Sequence, residues 1–180
     1  MFTDENLYEH FWNGEKIAAD ELVHRHGDIL VLFLNSYVKD IHEAEDLMIE
    51  AFALMFVKRR PVSEDGSFRA YLYKTARRLA GKAIKKHRIH IGLEELPFEL
   101  PGEVLAETSL FENERKKQLY EALEELKPEY QEALYLVYLE DMSYRDTAEV
   151  MGRSESQIKN LVNRGKKSLK EILEKNGFEY

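Results

Sequence analysis

Apolar residues along this chain recur at helical spacing, and they do not alternate as they would on a half-buried strand. The pattern is sharpest from Ser143 to Leu173. Ser143 caps a short segment that carries Tyr144, Thr147, Ala148 and Met151 on one face, and Asp146 stands at the third position, where the acid of a capping box belongs. Gly152 ends that segment, because glycine accepts the positive φ of a helix C-terminus, and Arg153 completes the turn. Ser154, with Gln157 three positions on, opens a second helix whose Ile158, Leu161, Val162, Leu169, Ile172 and Leu173 turn inward. Two helices joined by so short a turn form a helix-turn-helix.

The outward side of the second helix holds Ser156, Gln157, Lys159, Asn160, Asn163, Arg164, Lys166, Lys167 and Lys170. Amides hydrogen-bond base edges and cations neutralise phosphate, so this face suits a recognition helix in a major groove. Toward its N-terminal end Ser156, Gln157, Asn160 and Asn163 are the candidate readers, whereas Arg164, Lys166 and Lys167 are placed to meet phosphate. A solvated surface has a similar composition, so the pattern alone leaves both readings open.

Earlier in the chain, Ile17, Leu22, Val23, Ile29, Leu30, Leu32, Phe33, Leu34 and Val38 predict two packed helices, or one broken near Gly27. Asp40 to Lys58 reads as a helix with Ala44, Leu47, Met48, Ala51, Phe52, Met55 and Phe56 inward, and His42, Glu43, Asp46 and Glu50 on or near the other side. Pro61 ends it, and Arg60 to Ser67 is a loop. The next helix, Phe68 to Arg88, buries Phe68, Leu72, Ala76, Leu79 and Ala83, with Ile84 at the margin, and leaves its cations outside together with Tyr71 and Tyr73. From Ile89 to about Glu112 prolines, glycines and glutamates mark a linker that retains enough apolar residues to pack. A helix from about Glu112 ends near Leu126, and Pro128 opens another whose buried stripe is Ala133, Leu134, Val137 and Tyr138.

Charge changes this picture. The net charge of -8 argues against a polyanionic partner, but its distribution argues the reverse. Residues 1 to 50 hold twelve acids against three bases, whereas residues 68 to 90 hold eight bases and no acid. An acid-free helix with tyrosines among its cations is matched to single-stranded nucleic acid, where bases stack on rings and cations follow the backbone. The chain has no cysteine, which excludes disulfides and thiolate metal sites and points to the reducing cytosol. The N-terminus lacks the pattern of a signal peptide, and no run approaches the ~18 apolar residues of a membrane span.

Three stretches together resemble the extracytoplasmic-function (ECF) sigma factors of the sigma-70 class. "EAEDLMIEAF" (43 to 52) is similar to the polymerase-binding helix of that family's region 2, "SFRAYLYKTARRLA" (67 to 80) to its promoter-melting helix, and the stretch from 126 to 173 to its region 4. The resemblance covers nearly the whole chain and implies an all-α fold of two small helical domains. These are region 2 over 1–90 and region 4 over 112–180, joined by a short acidic linker over 91–111. It implies core polymerase binding by Asp46, Leu47, Glu50 and Phe52. It implies contact with the element about ten base pairs upstream by Arg69, Tyr71, Lys74, Arg77, Arg78, Lys82, Lys85, Lys86 and Arg88. The loop Lys58 to Ser67 would capture a base flipped from the melted non-template strand. Arg153, Ser156, Gln157, Lys159, Asn160, Asn163, Arg164 and Lys167 would contact the element about thirty-five base pairs upstream as duplex.

The same resemblance implies a cytoplasmic bacterial protein whose partners are RNA polymerase core, promoter DNA and an anti-sigma factor, with no membrane insertion, cofactor, metal or catalytic residue. The sequence departs from family habit at Ile49, where glutamine is common, and at Arg78 and Lys82, which replace an Asn and an Asp. Leu161 and Gly165 replace a frequent Arg and Ala, and glycine inside a helix costs about 1 kcal/mol relative to alanine. Two rival readings exist. A helix-turn-helix regulator that never joins polymerase would need no acid-free melting helix. A metalloenzyme would have to draw a site from His24, His26, His42, Glu43, Glu45 and Asp46, and no second metal-binding pair completes that set.

Overall fold

The computed structural model describes residues 2–59, 67–91 and 114–178, which form helices and turns. The chain divides into two compact units, the first ending at Pro101. The first contains α1 (Asp4–Trp12), α2 (Ile17–Val38), α3 (Ile41–Val57) and α4 (Phe68–Ile91). The second contains α5 (Glu114–Glu124), α6 (Pro128–Leu134), a π-helical turn (Tyr135–Leu139), α7 (Tyr144–Met151) and α8 (Glu155–Lys175). The acidic linker expected over 91–111 lies outside the described residues except for Ile91, as do residues 60–66 of the expected loop.

In the first unit α2 packs against α1, α3 and α4. Leu22, Leu30, Phe33 and Leu34 of α2 meet a core completed by Ala44, Ala51 and Met55 of α3 and by Phe68, Leu72, Tyr73 and Ala76 of α4. α2 runs unbroken through Gly27, which is buried, so the break considered there does not occur. Lys39 then turns the chain in the left-handed region, at φ 57°, and the Asp40 carboxylate caps α3 by accepting from the Glu43 N–H at 3.0 Å. A connection of two residues makes α2 and α3 antiparallel neighbours.

α1 was not predicted from the sequence. Thr3 caps it, accepting from the Asn6 N–H at 3.2 Å, and Asp4 and Glu5 occupy the first turn, where the helix dipole favours acids. Its buried face is short, consisting of Leu7 and Tyr8, and the Tyr8 hydroxyl donates to the Met55 carbonyl at 2.9 Å. So brief a stripe among acids carries little periodic signal.

In the second unit the local stops and starts fall where the residues place them. The Ser143 hydroxyl accepts from the Asp146 N–H at 3.0 Å, and Gly152 takes φ 63° at the end of α7. Ser154 and Gln157 form a complete capping box, with Ser154 N–H donating to the Gln157 side chain at 2.9 Å and Gln157 N–H to the Ser154 hydroxyl at 3.3 Å. Such caps each contribute about 1 kcal/mol. α8 buries Ile158, Leu161, Val162, Gly165 and Leu173, and packs on α5, α6 and α7.

One expectation fails here, and another gains a structural reason. Tyr138, assigned to the buried stripe, is 53% exposed. The π-helical turn over Tyr135–Leu139 holds more residues per turn than an α-helix, so the 3.6-residue stripe that reaches Leu134 loses phase and Tyr138 emerges. Gly165 is no mere weak point. A Cβ at that position would stand 3.2 Å from Tyr130 Cβ and 3.3 Å from Leu134 Cγ, so α8 approaches α6 at a distance that favours glycine.

Candidate nucleic-acid interfaces and an acidic face

The start of α4 is held by residues far earlier in the chain. Glu5 accepts from the Phe68 N–H at 3.1 Å, while Ser67 accepts locally from Ala70 N–H at 3.3 Å. Beside Glu5, the Asp4 carboxylate gathers His26 at 2.9 Å, Arg25 at 3.3 Å and Arg69 at 3.6 Å. Burial by itself would raise the Asp4 carboxyl, but the hydrogen bond and charge of His26, then Arg25 and Arg69, outweigh it and hold the group below its ordinary value. Arg69, expected to meet DNA, is thus drawn toward an internal acid.

Further along α4 the surface is as cationic as expected. Lys74, Arg78, Lys82 and Lys85 are exposed and share one side of the helix, with exposed Lys86 beside them. Arg77 and Tyr71 are half-buried. Exposed Gly81 lies in the middle of this cationic side, and no atom comes within 4 Å of where its Cβ would be. Tyr73 does not join the surface. It is fully buried, its ring edge-on to Phe33 at 4.9 Å, because one residue of rotation from the fully buried Leu72 keeps it over the core. His87 reaches back to Glu43 at 3.2 Å. The side chain of Arg88 lies outside the described residues.

On α3, Asp46, Ile49, Glu50, Ala53 and Val57 form a single exposed stripe at spacings of three and four. Ile49 is 61% exposed and Val57 74%, so this is an apolar surface edged with acids. Leu47 and Phe52, which the periodicity turns inward and the resemblance sets beside Asp46 and Glu50, are buried at 8% and 3% exposure. One further residue turns the helix by about 100°, which carries each of them from the outer stripe into the core. Ile49, which the sequence reading treated only as a departure, occupies the middle of the outer face. The apolar character of this outer face comes from Ile49 and Val57.

In the second unit Arg153, Ser156, Gln157, Lys159, Asn160, Asn163, Arg164 and Lys167 are all exposed, as a recognition surface requires. Two of them have prior engagements. The Arg153 guanidinium donates to Glu129 at 3.3 Å, and the Gln157 amide oxygen accepts from Ser154 N–H, which leaves its NH₂ group to face outward. Lys166 lies 5.3 Å from the centre of the Tyr138 ring, within cation–π range, so the exposed tyrosine borders the cationic side of α8.

Four of the six residues considered as metal ligands are engaged in pairs, His26 with Asp4, His42 with Glu45 at 3.4 Å and Glu43 with His87. Among the described residues no three His, Cys, Asp or Glu gather within reach of one ion. No helix among the described residues is long and apolar enough to cross a membrane.

Comparison with known proteins matches these two units separately. Residues 22–89, which include most of α2, all of α3 and most of α4, match the family described as Sigma-70 region 2, and residues 116–169 match Sigma-70, region 4. The ECF RNA polymerase sigma factor SigM of Bacillus subtilis (strain 168) is 27% identical over 165 residues, spanning 87% of this chain and 95% of its own. The ECF RNA polymerase sigma factor SigE of Mycolicibacterium smegmatis is 28% identical over 166 residues, spanning 89% of this chain and 63% of its own. Among solved structures, the sigma factor RpoE of Bartonella quintana, in complex with the anti-sigma factor NepR, superposes with a TM-score of 0.71 at 21% identity, covering 86% of this chain and 96% of that one.

Proposed function

This chain belongs to the sigma-70 family, as an ECF RNA polymerase sigma factor, and from that premise we propose how its surfaces divide the work of transcription initiation. The outer stripe of α3 binds RNA polymerase core through Asp46, Ile49 and Glu50. The cationic side of α4, from Lys74 to Lys86, holds the melted non-template strand of the promoter element about ten base pairs upstream of the start. α8 reads the element about thirty-five base pairs upstream, with Ser156, Asn160 and Asn163 toward bases and Arg164 and Lys167 toward phosphates. The protein performs no covalent chemistry and acts in the bacterial cytoplasm, and an anti-sigma factor is its natural inhibitor.

The observation that carries this reading is the presence, within one helical unit, of an acid-edged apolar face on α3 and a cationic face on α4. A regulator that binds only duplex DNA through α7 and α8 has no use for either. Charge on α3 opposes DNA, whereas its exposed Ile49 and Val57 suit a protein surface. The test is the variant carrying Asp46→Ala and Glu50→Ala. It should keep its helicity and lose copurification with polymerase core, and undiminished core binding would remove the assignment and favour the free regulator.

A further inference from the structure

Glycine inside a helix is conformationally costly, and an exposed helical position ordinarily takes a strong helix former. Gly165 lies under Tyr130 and Leu134, and Gly27 is at least a buried position within α2, where a Cβ would meet Val23 Cγ1 in ordinary contact at 3.8 Å. Gly81 has no such account, since its surroundings are open and it faces outward. What surrounds it on the helix surface is charge. Arg77 and Arg78 stand about one turn before it, and Lys82 and Lys85 beside it and about one turn after, each turn rising about 5.4 Å.

We infer that Gly81 is a contact floor, at which the sugar–phosphate backbone of one DNA strand lies in van der Waals contact with the bare main chain of α4 while Arg78, Lys82 and Lys85 hold its phosphates. This rests on, and deepens, the reading of α4 as the promoter-melting helix. Cations on long stems reach phosphate from several ångströms away and accept loose geometry, but a missing side chain matters only to a partner that comes close. A strand, not a groove, is the partner that fits. An α-helix fills a major groove about 12 Å wide, and α4 is packed by α1, α2 and α3, which leaves one side for a strand to run along. That side offers cations and no amides between Lys74 and Lys86, which suits backbone contact more than base reading.

The experiment uses the full chain with RNA polymerase core and a fluorescein-labelled duplex pool whose non-template strand carries an unpaired, randomised stretch. Gly81→Ala and Gly81→Leu are compared with a double variant, Arg78→Ala with Lys82→Ala. Both glycine variants should melt higher, by about 4 to 8 °C for alanine, because the helix gains propensity. Gly81→Leu should nevertheless bind the DNA about tenfold more weakly, with Gly81→Ala intermediate, and the salt dependence should stay that of the wild type because no charge is lost. The double variant should lower the salt slope instead. If Gly81→Leu binds like wild type while the double variant fails, the contact floor is overturned and α4 keeps its role; if no variant loses binding, both are overturned.

Discussion

α4 and α8 are both cationic helices offered to DNA, yet the signals that start them come from different distances along the chain. α8 begins with a capping box made by Ser154 and Gln157, three residues apart, after a glycine stop two residues before. α4 begins under Glu5, a residue 63 positions away, and its first cation is gathered by Asp4. α8 is therefore specified locally, by residues within a few positions of its start. α4 is specified by tertiary contact, so its position depends on α1 being docked. A helix capped by its own neighbours can belong to a small module, whereas one capped from 63 positions away belongs to a larger bundle.

The largest way to break this contrast is Asp4→Ala, which leaves Arg25, His26 and Arg69 facing a lost carboxylate. It should cost the first unit about 1.5 to 3 kcal/mol, the worth of hydrogen bonds to a charged group. The chain's single tryptophan, Trp12, lies in α1 against Phe11 and Tyr8, so urea unfolding followed by its fluorescence reports this unit. Asp4 also sets a pH dependence. Its carboxyl lies below the ordinary value when folded, so its stabilisation is complete above about pH 3.9 and is lost as pH falls through the lower folded value. The Trp12 midpoint should fall through that acid window in the wild type and vary less in Asp4→Asn.

Next in size are two changes on α8. Asn160→Ala should cost about 1 to 3 kcal/mol at one base position and change the preferred upstream element, while Lys167→Ala should weaken all sequences alike and lower the salt slope by about one. Selection from randomised duplex DNA distinguishes them, and an unchanged consensus for Asn160→Ala would remove α8 as the reader. Ser154→Ala should cost about 1 kcal/mol, felt at the start of α8 alone. Hydrogen exchange should quicken at the amides of residues 156–158 and leave α4 untouched, whereas spread into the first unit would contradict the local specification. The smallest effect is that of Gly165→Ala. Helix propensity favours alanine by about 1 kcal/mol, but crowding against Tyr130 and Leu134 opposes it, so the two offset and the urea midpoint should move by less than that gain alone would give.

The same contrast explains what could be read from residues alone. α7, the glycine turn and α8 were legible to the residue, because Ser143, Gly152, Ser154 and Gln157 act on neighbours within four positions. α3 and α4 were legible as helices through their periodicity. Leu47 and Phe52 lie on the inward stripe that periodicity gives them, although the motif groups them with Asp46 and Glu50: motif likeness places a stretch, and only rotation about the helix places each side chain. Tyr73 and Tyr138 failed for related reasons, the first through a core wider than the apolar stripe suggested and the second through a π-helical turn that no spacing rule signals. α1 was illegible because its reason for existing is tertiary: a two-residue buried face, a hydroxyl on the Met55 carbonyl and acids aimed at α4.

The bond from Glu5 to the start of α4 has a consequence in time. Protein chains emerge N-terminus first, at about 5 to 20 residues each second, so the 63 residues between Glu5 and Phe68 represent a delay of roughly 3 to 13 s. Throughout that interval Asp4 and Glu5 have been made and α4 has not. The nascent segment then carries twelve acids and three bases in its first fifty residues, and mutual repulsion keeps such a segment from collapsing on itself or on neighbours. The basic helix, synthesised last, supplies the missing charge and the missing core together, so completion of the first unit is gated by the same element that afterwards meets DNA.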